Sequence, residues 1–500
     1  MRANLAAVLE RRAVEGGWTG AVAFHAGGRD VTHAEVHEGA ARTAGLLAGL
    51  GVGRGDRVLL ALPDGIELVW AFLGAVRLGA VAVPVNPRLT GDDHAHAAAD
   101  TGARVVVSTA ELAGRFAGRT VVAGEDLEAA AAACAPAPPA DVAAGDPAYA
   151  QYTSGTTGSP RAAVHAHGDP LAYFDAFAGP AIDLRPTDAV LSVSKLYFAY
   201  GLGNSLFFPL LAGCRAVLHA AHPVAEDVAA LVARHRVTVL FSVPTFYARL
   251  VAAGERTAWS SLRVAVSAGE ALTPALATRS RALLGCPVLD GLGSTEVGQT
   301  FASNTLAVQR DGTVGRALPP YRVRVLDPAG ADLPPGQVGA LWVAGPTLPL
   351  GYLGRPADPG EWLHTGDLAS IDPDGFVHLR GRADDVELVG GISVSPQEIE
   401  AVLSRHPAVN EVAVAGVVGA DGASRLQAFV VPAPEAPPAD AFEAELVALA
   451  RAELAPFMVP RAVAFVDALP RTPTGKLRRF VLRAGAWAGQ PAASAPKAAV

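Results

Sequence analysis

DRVLLALPDGIELVWAFLGAVRLGAVAVPV, residues 56–85, decides the fold class of this chain. The stretch begins with an apolar β-rich run, continues with a helix whose apolar residues recur with a period of about 3.6, and closes with a second strand ending at Pro84. This order predicts a βαβ unit. Similar alternation follows at 103–109, 237–244 and 262–270. Continuous apolar strands alternating with helices indicate parallel sheets covered on both faces.

Two changes of pattern divide the rest of the chain. Residues 321–380 contain short alternating runs separated by turns, which predict a small antiparallel sheet or β-barrel. After GRADD (381–385) a compact α+β pattern follows, and the last residues are poor in aromatic and β-branched side chains. We therefore predict an α/β plus α+β protein with a large N-terminal domain at 1–381, a small C-terminal domain at 382–486 and a disordered tail at 487–500.

The composition favours small-molecule chemistry. The net charge is -8 and the basic residues are dispersed, so neither a nucleic-acid surface nor a polybasic membrane patch is indicated. The N-terminus lacks the pattern of a signal peptide and no apolar stretch is long enough for a spanning helix, so we expect a cytoplasmic protein. Cys134, Cys214 and Cys286 are too widely spaced for a zinc site or a disulfide framework, and we expect three buried thiols.

Lysine is rare in this sequence. Lys195, Lys476 and Lys497 are the only lysines, whereas arginine supplies the remaining 37 of the 40 basic residues. A lysine that persists under this bias is a candidate for a role that the planar guanidinium of arginine cannot fill. Lys497 lies in the tail, but Lys195 and Lys476 lie inside motifs.

YTSGTTGSPRAAVH (152–165) has the composition of a loop that wraps phosphate. Its hydroxyl groups and glycines favour an anion-binding nest, with Arg161 as the cation. The Walker pattern is absent, which argues against a P-loop kinase or GTPase. Taken alone, the stretch could equally be an ordinary turn. The residues concerned are Thr153, Ser154, Gly155, Thr156, Thr157 and Gly158.

Three further motifs carry candidate chemistry. SAGEALTP (267–274) and DGLGSTEVGQTF (290–301) are each predicted to follow an apolar strand, and ligand sites of parallel sheets collect at the carboxyl ends of strands. Glu296 suits a Mg²⁺ shared with a nucleotide phosphate, although it could also be a helix N-terminal carboxylate. Asp367, in a predicted Thr-Gly-Asp turn, and Arg382 suit the hydroxyl groups of a ribose.

PRTPTGKLRRF (470–480) places Lys476 on a glycine-containing loop beside arginines. A compact ammonium on a flexible stem can reach a carboxylate and a phosphate together, as the attack of one anion on another requires. A solvated charge in a basic turn is the alternative interpretation.

These motifs, in this order, resemble the adenylate-forming superfamily of acyl- and aryl-CoA synthetases, from about residue 20 to 485. The resemblance implies stacked sheets, a small barrel and a small mobile C-terminal domain. It implies that 153–161 cradle the β- and γ-phosphates of ATP, that Glu296 binds Mg²⁺, that Asp367 and Arg382 hold the ribose, and that Lys476 bridges the substrate carboxylate and the α-phosphate. Further residues implied to line the adenine and the α-phosphate are Ser267, Ala268, Gly269, Glu270, Asp290, Gly291, Gly293, Ser294 and Thr295.

SKLYFAYGLGNSLFFPLLAG (194–213) closely resembles the acid-binding stretch of benzoate-CoA ligases, although a core segment is the alternative. It is too rich in aromatic residues for a surface loop and too rich in glycine for an ordinary helix. No acidic residue lies in the aromatic run to pair an α-amine, which weighs against amino-acid substrates. The residues implied to border an aryl ring are Phe198, Ala199, Tyr200, Gly201, Gly291, Gly293, Gln299 and Thr300.

The chain departs from the family pattern at several positions. The phosphate loop ends Pro160-Arg161-Ala162 where the family usually has Pro-Lys-Gly, and Leu388 occupies a position at which many relatives carry lysine. Benzoate-type relatives tend to have His and Ile where this chain has Gln299 and Thr300, which leaves a polar ring substituent open.

The sequence therefore predicts a benzoate-type, AMP-forming aryl acid ligase that uses ATP and Mg²⁺ and transfers the aryl group to coenzyme A. The resemblance implies a hinge at Asp384 and passage of a pantetheine arm at Gly390 and Gly391. A ligase that loads the phosphopantetheine of an acyl carrier protein is the first alternative. A non-catalytic nucleotide-binding regulator, suggested by Arg161 and Leu388, is the second.

Overall fold

The computed structural model describes residues 3–153, 160–255, 257–356, 360–385, 387–389, 392–418, 424–471 and 477–483. Within these ranges the first sheet has nine strands in the order β15-β14-β13-β12-β11-β9-β10-β1-β2. Its six central strands, from β13 to β1 in that order, pair in parallel, and antiparallel pairs form both edges. Its strands are β1 (Val22–Ala26), β2 (Arg29–Thr32), β9 (Ala189–Ser192), β10 (Arg215–Val217), β11 (Val239–Ser242), β12 (Val264–Ser267), β13 (Val288–Gly293), β14 (Thr300–Ser303) and β15 (Arg316–Ala317).

The βαβ unit predicted at 56–85 lies in the second sheet. Among the described residues this sheet has eight strands in the order β19-β18-β8-β7-β4-β3-β5-β6, with β3 and β4 paired in parallel across the predicted crossover helix. Its strands are β3 (Arg57–Ala61), β4 (Val81–Pro84), β5 (Val105–Ser108), β6 (Thr120–Ala123), β7 (Pro147–Thr153), β8 (Arg161–Ala166), β18 (Gly351–Tyr352) and β19 (Arg355–Pro356).

The helices cover the sheets as the alternating pattern predicts. The crossover helix α3 is buried on nearly every side, because its apolar residues face both layers. The helices are α1 (Leu5–Glu15), α2 (His33–Gly49), α3 (Ile66–Arg77), α4 (Gly91–Thr101), α5 (Gly124–Ala132), α6 (Asp169–Tyr173), α7 (Ala199–Leu202), α8 (Phe208–Ala212), α9 (Ala225–His235), α10 (Pro244–Ala253), α11 (Pro274–Leu284), α12 (Pro396–Leu403), α13 (Ala439–Glu453) and α14 (Arg479–Arg483). Short π-helical turns occupy Phe174–Ala178 and Gly203–Phe207, and short 3₁₀ turns occupy Ala110–Phe116, Ala383–Asp385 and Pro456–Met458.

The region predicted as a small antiparallel sheet or barrel forms, in the described part of the chain, a four-stranded antiparallel sheet in the order β16-β17-β20-β21. Smaller sheets follow in the C-terminal region. The strands are β16 (Arg322–Leu326), β17 (Gly339–Ala344), β20 (Leu363–Ile371) and β21 (Val377–Arg382), then the pair β22 (Glu387–Val389) and β23 (Ile392–Val394), then β24 (Val409–Val418), β25 (Ser424–Pro432) and β26 (Ala462–Phe465).

The cores follow this division. The largest core joins apolar residues of both large sheets, such as Leu60 of β3 and Val266 of β12. A separate core lies under β24 and β25, where Ile399 of α12 packs with Val414 and Leu446. A large sheet-rich N-terminal domain and a smaller C-terminal domain are therefore present, while the limits 1–381, 382–486 and 487–500 remain predictions.

Two expectations of the sequence are tested by burial and helix length. Cys214 and Cys286 are buried free thiols, but Cys134 is only half-buried, because it follows the end of α5 in an irregular segment; the prediction of three buried thiols is wrong there. In the parts of the chain that the structure describes, every helix is too short or too polar to cross a membrane.

Candidate active site

The predicted phosphate loop connects the two strands of a β-hairpin. Thr153 ends β7, Arg161 begins β8, and the two residues face each other in the antiparallel register. The loop itself lies outside the described residues, and with it the predicted phosphate-binding residues Ser154, Gly155, Thr156, Thr157 and Gly158. The strand–loop–strand frame differs from the strand–loop–helix frame of a P-loop, which agrees with the missing Walker pattern.

Arg161, Tyr352 and Glu296 lie together beside this hairpin. Tyr352 of β18 pairs with Ala163 of β8, and the guanidinium of Arg161 lies 5.8 Å from the centroid of the Tyr352 ring. Burial and, after it, the charge of Glu296 raise the pKa of Tyr352, whereas Arg161 lowers it. An exposed cation and a half-buried carboxylate are thus held near the ends of the phosphate loop.

Glu296 offers a single carboxylate for Mg²⁺. Among the described residues, no cluster of three or more His, Cys, Asp or Glu side chains could hold a metal by itself. Mg²⁺ is commonly bound by one or two carboxylates together with substrate phosphates and water. Glu296 therefore fits a Mg²⁺ that arrives with a nucleotide, and the described residues do not fit an all-protein metal site.

His165 is a site residue that the sequence interpretation included in a motif but left without a role. Its Nε2 donates to the carbonyl oxygen of Thr295 at 2.8 Å, and its Nδ1 lies 3.3 Å from Asp169 Oδ2. The ring is fully buried and stacks on Tyr149. His165 therefore ties the hairpin of one sheet to the Ser294–Glu296 turn of the other. Its position twelve residues after Thr153, at the end of the phosphate-loop motif, was the available signal.

Ser267, the last residue of β12, lies beside Asp290 of β13. The prediction that 290–301 follows its strand is wrong for residues 290–293, because β13 continues to Gly293 where it pairs with β14. The register pairs Ser242 of β11 with Ser267 of β12, and Ser267 with Asp290 of β13. All three side chains are buried. Burial raises the pKa of Asp290 well above its usual range, which favours the neutral acid. The predicted nucleotide-binding segment from Ala268 to Glu270 starts directly after this polar row.

Glu270 is engaged by protein groups on both oxygens. Oε1 accepts from Arg471 Nη1 at 3.0 Å, while Oε2 accepts from the hydroxyl and, at 3.3 Å, the backbone N–H of Thr245. Ala268 is buried, whereas Gly269 is exposed with a φ of 92°. The backbone of this segment therefore remains available to line a nucleotide, as predicted, but the Glu270 carboxylate points to Arg471 and Thr245.

Gly291 and Gly293 allow β13 to lie close to β14. Gly291 pairs with Ser303, and Gly293 pairs with Thr300. A Cβ on Gly293 would stand 2.7 Å from the carbonyl oxygen of Gln299, which is closer than such contacts allow. Beyond the strand, Ser294 Oγ accepts from the backbone N–H of Val297 at 3.1 Å and fixes the turn that carries Glu296.

The predicted aryl-binding stretch is helical. α7 and α8 are joined through a π-helical turn at Gly203–Phe207. The expectation that this stretch does not form an ordinary helix is correct only for the π-helical turn. π-helical turns often occur at functional sites. Phe198, Ala199 and Tyr200 are half-buried, Gly201 is buried, and the Tyr200 ring stands edge-on to Phe241 with centroids 6.1 Å apart.

Gln299 and Thr300 form a buried amide network with this helix. Gln299 Nε2 donates to Asn204 Oδ1 at 3.3 Å and to the carbonyl oxygen of Tyr200 at 3.4 Å. Gln299 Oε1 accepts from the backbone N–H of Thr300 at 2.9 Å and from its hydroxyl at 3.1 Å. Asn204 could not be found from the sequence, because a single amide side chain in an apolar run creates no recurring pattern. The network fixes polar groups where benzoate-type relatives tend to have His and Ile.

Asp367 and Arg382 face each other across β20 and β21. Arg382 Nη1 donates to Asp367 Oδ1 at 3.1 Å and to the carbonyl oxygen of Thr365 at 2.8 Å. The predicted Thr-Gly-Asp turn is wrong, because Asp367 lies inside a strand; Gly366, with a φ of 77°, supplies the local irregularity that the sequence suggested. The two side chains are nevertheless brought together, as the ribose assignment requires.

The remaining predicted residues lie in the C-terminal region. Asp384 lies in the short 3₁₀ turn Ala383–Asp385 directly after β21. Lys476, Gly390 and Gly391 are outside the described residues, as is the side chain of Leu388. Their roles stay predictions.

Comparisons with known proteins agree with this arrangement. The AMP-binding enzyme family profile matches residues 9–353, and that of the AMP-binding enzyme C-terminal domain matches residues 398–476. The chain is 46% identical to p-hydroxybenzoic acid–AMP ligase of Mycobacterium marinum, over 96% of this chain and 69% of that protein. It is 36% identical to benzoate–CoA ligase of Thauera aromatica, over 87% and 86% of the two chains.

Solved structures show the same fold. A benzoate-CoA ligase from Burkholderia xenovorans LB400 superposes with a TM-score of 0.89 at 36% identity, over 96% of this chain and 99% of that one. An anthranilate-CoA ligase in complex with anthranoyl-AMP superposes with a TM-score of 0.90 at 32% identity, over 97% of each chain.

Fold and site together define an adenylate-forming enzyme. The chain belongs to the AMP-binding enzyme family and, within it, to the aryl acid ligases. It is thus an AMP-forming acid–thiol ligase of benzoate type.

Proposed function

We propose that this enzyme activates a hydroxylated benzoate with MgATP and then passes the aryl group to a thiol. The observation that carries the proposal is the buried network of Gln299, Asn204 and Thr300 beside Tyr200, which gives an otherwise apolar acid segment polar neighbours. The similarity to a p-hydroxybenzoic acid–AMP ligase supports the same substrate class. A cytoplasmic location remains our prediction.

In the first step one carboxylate oxygen attacks the α-phosphorus of ATP. The new O–P bond forms as the bond to the β-phosphate oxygen breaks, and pyrophosphate leaves. Because two anions must meet, positioning and charge neutralisation supply most of the acceleration. We assign Lys476 to the attacking carboxylate and α-phosphate, Arg161 to the leaving pyrophosphate, and Asp367 with Arg382 to the ribose. A Mg²⁺ at Glu296 would neutralise phosphate charge.

In the second step a thiol sulfur attacks the aryl carbonyl carbon. The C–S bond forms, the bond from carbon to the AMP oxygen breaks, and the thiol proton passes to solvent. We propose that the small domain turns about Asp384 between the steps, withdrawing Lys476 and bringing Gly390 and Gly391 to the pantetheine arm. Such an alternation lets one cleft serve two reactions.

Coenzyme A is our first candidate for the thiol, as in the benzoate-CoA ligases. A carrier-protein phosphopantetheine is the second candidate. One observation favours it: identity is higher to p-hydroxybenzoic acid–AMP ligase, at 46%, than to benzoate–CoA ligase, at 36%. Both acceptors end in the same arm, so the described residues favour neither.

The decisive assay is pyrophosphate exchange into ATP over a panel of benzoate, hydroxybenzoates, aryl-acrylates and fatty acids. We expect exchange with a hydroxybenzoate above that with benzoate and none with fatty acids. Exchange with no acid would support the non-catalytic regulator instead. Thioester formation on free coenzyme A and on a carrier protein, assayed with the best acid, then identifies the acceptor.

Replacement of Lys476 tests the assigned chemistry. Lys476→Ala should abolish adenylation from the acid and spare thiolysis of supplied aryl-AMP, because only the first step joins two anions. Lys497→Ala, in the predicted tail, serves as the matched control and should change neither step. Equal loss of both half-reactions in Lys476→Ala would contradict the assignment.

A further inference from the structure

The residues on either side of 472–476 are hydrogen-bonded to each other. Arg471 and Leu477 form an antiparallel bridge, and the backbone N–H of Arg478 donates to the carbonyl oxygen of Pro470 at 2.8 Å. Residues 472–476 between them are outside the described residues. Whatever fixes Arg471 therefore also fixes Leu477, the residue that directly follows the proposed catalytic lysine in the chain.

The Arg471 side chain binds carboxylates of both domains. Its Nη1 donates to Glu270 Oε1 of the large domain at 3.0 Å, and its Nη2 donates to Glu411 Oε2 of β24 at 2.7 Å. The three side chains are only 17–21% exposed, so water screens these pairs less than it screens a surface ion pair. The planar fork of arginine can serve two carboxylates at once, whereas a lysine provides one point charge.

Glu270 is itself held in place. Its second oxygen accepts from the hydroxyl and the backbone N–H of Thr245, at the start of α10. The carboxylate follows Ser267, at the carboxyl end of β12, where the predicted nucleotide segment begins. Arg471 is thus docked onto a fixed carboxylate at the edge of the predicted ATP site.

We propose that Arg471 is a positioning residue: through its bridge to Leu477 it docks the residues that flank Lys476 onto the large domain during adenylation. The Arg471–Glu270 pair opens when the small domain turns for the thiol step, while the Arg471–Glu411 pair, which lies within the small domain, stays closed. This inference rests on the proposed function, since it gives Arg471 a role through Lys476.

The test measures the two half-reactions separately in the full-length enzyme. In Arg471→Met, pyrophosphate exchange should fall about tenfold or more, which corresponds to about 1.4 kcal/mol. Thiolysis of supplied aryl-AMP should stay within about twofold of the wild-type rate, because the Arg471–Glu270 contact is not used in that step. Retained thiolysis also shows that the variant is folded. Arg471→Lys should recover only part of the exchange activity.

A double-mutant cycle connects the effect to the interdomain pair. Glu270→Gln should also lower pyrophosphate exchange. In the double variant Glu270→Gln/Arg471→Met, the fold-loss of exchange should be much smaller than the product of the fold-losses of the two single variants. Arg478→Met is the matched control, since this exposed neighbour packs over Phe480 and should change neither half-reaction.

The outcomes separate the two proposals. If the wild-type enzyme exchanges with no acid, the proposed function fails. If the wild type exchanges but Arg471→Met leaves exchange intact, lowers both half-reactions alike, or combines additively with Glu270→Gln, the positioning role of Arg471 is overturned.

Discussion

Lysine and arginine have different uses at single positions of this chain. Lys195 is buried, its Nζ donates to the carbonyl oxygen of His219, and the carboxylate of Asp64 lies nearby. Burial lowers the pKa of Lys195 and raises that of Asp64 to about 6, while each charge opposes the shift of the other. The guanidinium of an arginine has five N–H donors, and at this buried position some of them would have no hydrogen-bond acceptor. The rarity of lysine therefore marked a structural position at Lys195 and leaves the chemical assignment to Lys476.

Arg161 shows the opposite preference. We expect Arg161→Ala to lower pyrophosphate exchange about tenfold and to raise the KM for ATP, because an exposed cation near departing phosphates acts through charge. Arg161→Lys should retain most of the activity, since it restores the family's usual residue at this position. Initial rates at varied ATP concentration measure both effects. A lysine variant as poor as the alanine variant would show that charge is not what Arg161 provides.

At the scale of elements, the contact of β13 with β14 carries both the phosphate and the aryl sides of the site. Gly293→Ala should reduce the free energy of unfolding by about 1–3 kcal/mol, because the new Cβ meets the Gln299 backbone at 2.7 Å. The same change should displace the turn that holds Glu296 and lower exchange. Chemical denaturation and the exchange assay measure the two effects.

Gly49 provides the control for that substitution. It lies at the end of α2 without positive φ. Apart from Gly49, its chain neighbours and the nearby α2 backbone, no described atom lies within 4 Å of the position that a Cβ would take there. Gly49→Ala should therefore be neutral or slightly stabilising. Equal destabilisation by both changes would show that the close approach of the strands at Gly293 does not set the effect.

Helix α2 carries two buried histidines that predict acid sensitivity. Burial lowers the pKa of His33 and of His37 to about 4, and the neighbouring charges of His37 and Arg77 respectively lower them further. Unfolded histidine titrates near pH 6.5, so between pH 6.5 and 4 the unfolded chain binds more protons. Stability is therefore fully present above pH 6.5 and falls as the pH drops towards 4, by up to about 3 kcal/mol per histidine.

Thermal unfolding between pH 7 and 4 checks this slope. We expect His33→Leu to flatten the dependence of stability on pH, because leucine does not bind a proton. The substitution His96→Asn, at an exposed position, should leave the wild-type slope unchanged. An unchanged slope in His33→Leu would assign the acid sensitivity to other groups.

At the scale of the whole molecule, ion pairs join the segments on either side of residues 472–476 to the region after Asp384. Arg479 of α14 is buried, donates to Glu400 at 2.5 Å and to the carbonyl oxygen of Val414 at 2.8 Å, and lies 3.5 Å from Asp385. Arg483 donates to Glu387 at 2.7 Å. One network of ion pairs therefore connects the first residues of the small domain, Asp385 and Glu387, with the helix that follows Lys476.

Removal of Arg479 should destabilise the small domain. We expect Arg479→Met to cost about 3–5 kcal/mol, because it leaves the half-buried Glu400, whose side chain is only 15% exposed, without its cation. Arg478→Met, at the exposed adjacent position, should cost little. Unfolding followed by hydrogen exchange in 392–418 and 424–471 reports on that domain, and equal stability of the two variants would contradict the prediction.

The sequence by itself determined the order of strands and helices, the family and the positions of the motifs, because apolar periods and short motifs are local properties. The crossover unit 56–85, the strand end at Ser267, and the juxtaposed Asp367 and Arg382 were found this way. Only the tertiary structure decided which side chains meet across the molecule. Arg471 and Glu270 are 201 residues apart, and His165 and Thr295 are 130 apart. Such pairs leave no period in a single sequence, since each residue looks locally like an ordinary turn or strand position, and their partners are fixed only when the sheets and domains pack.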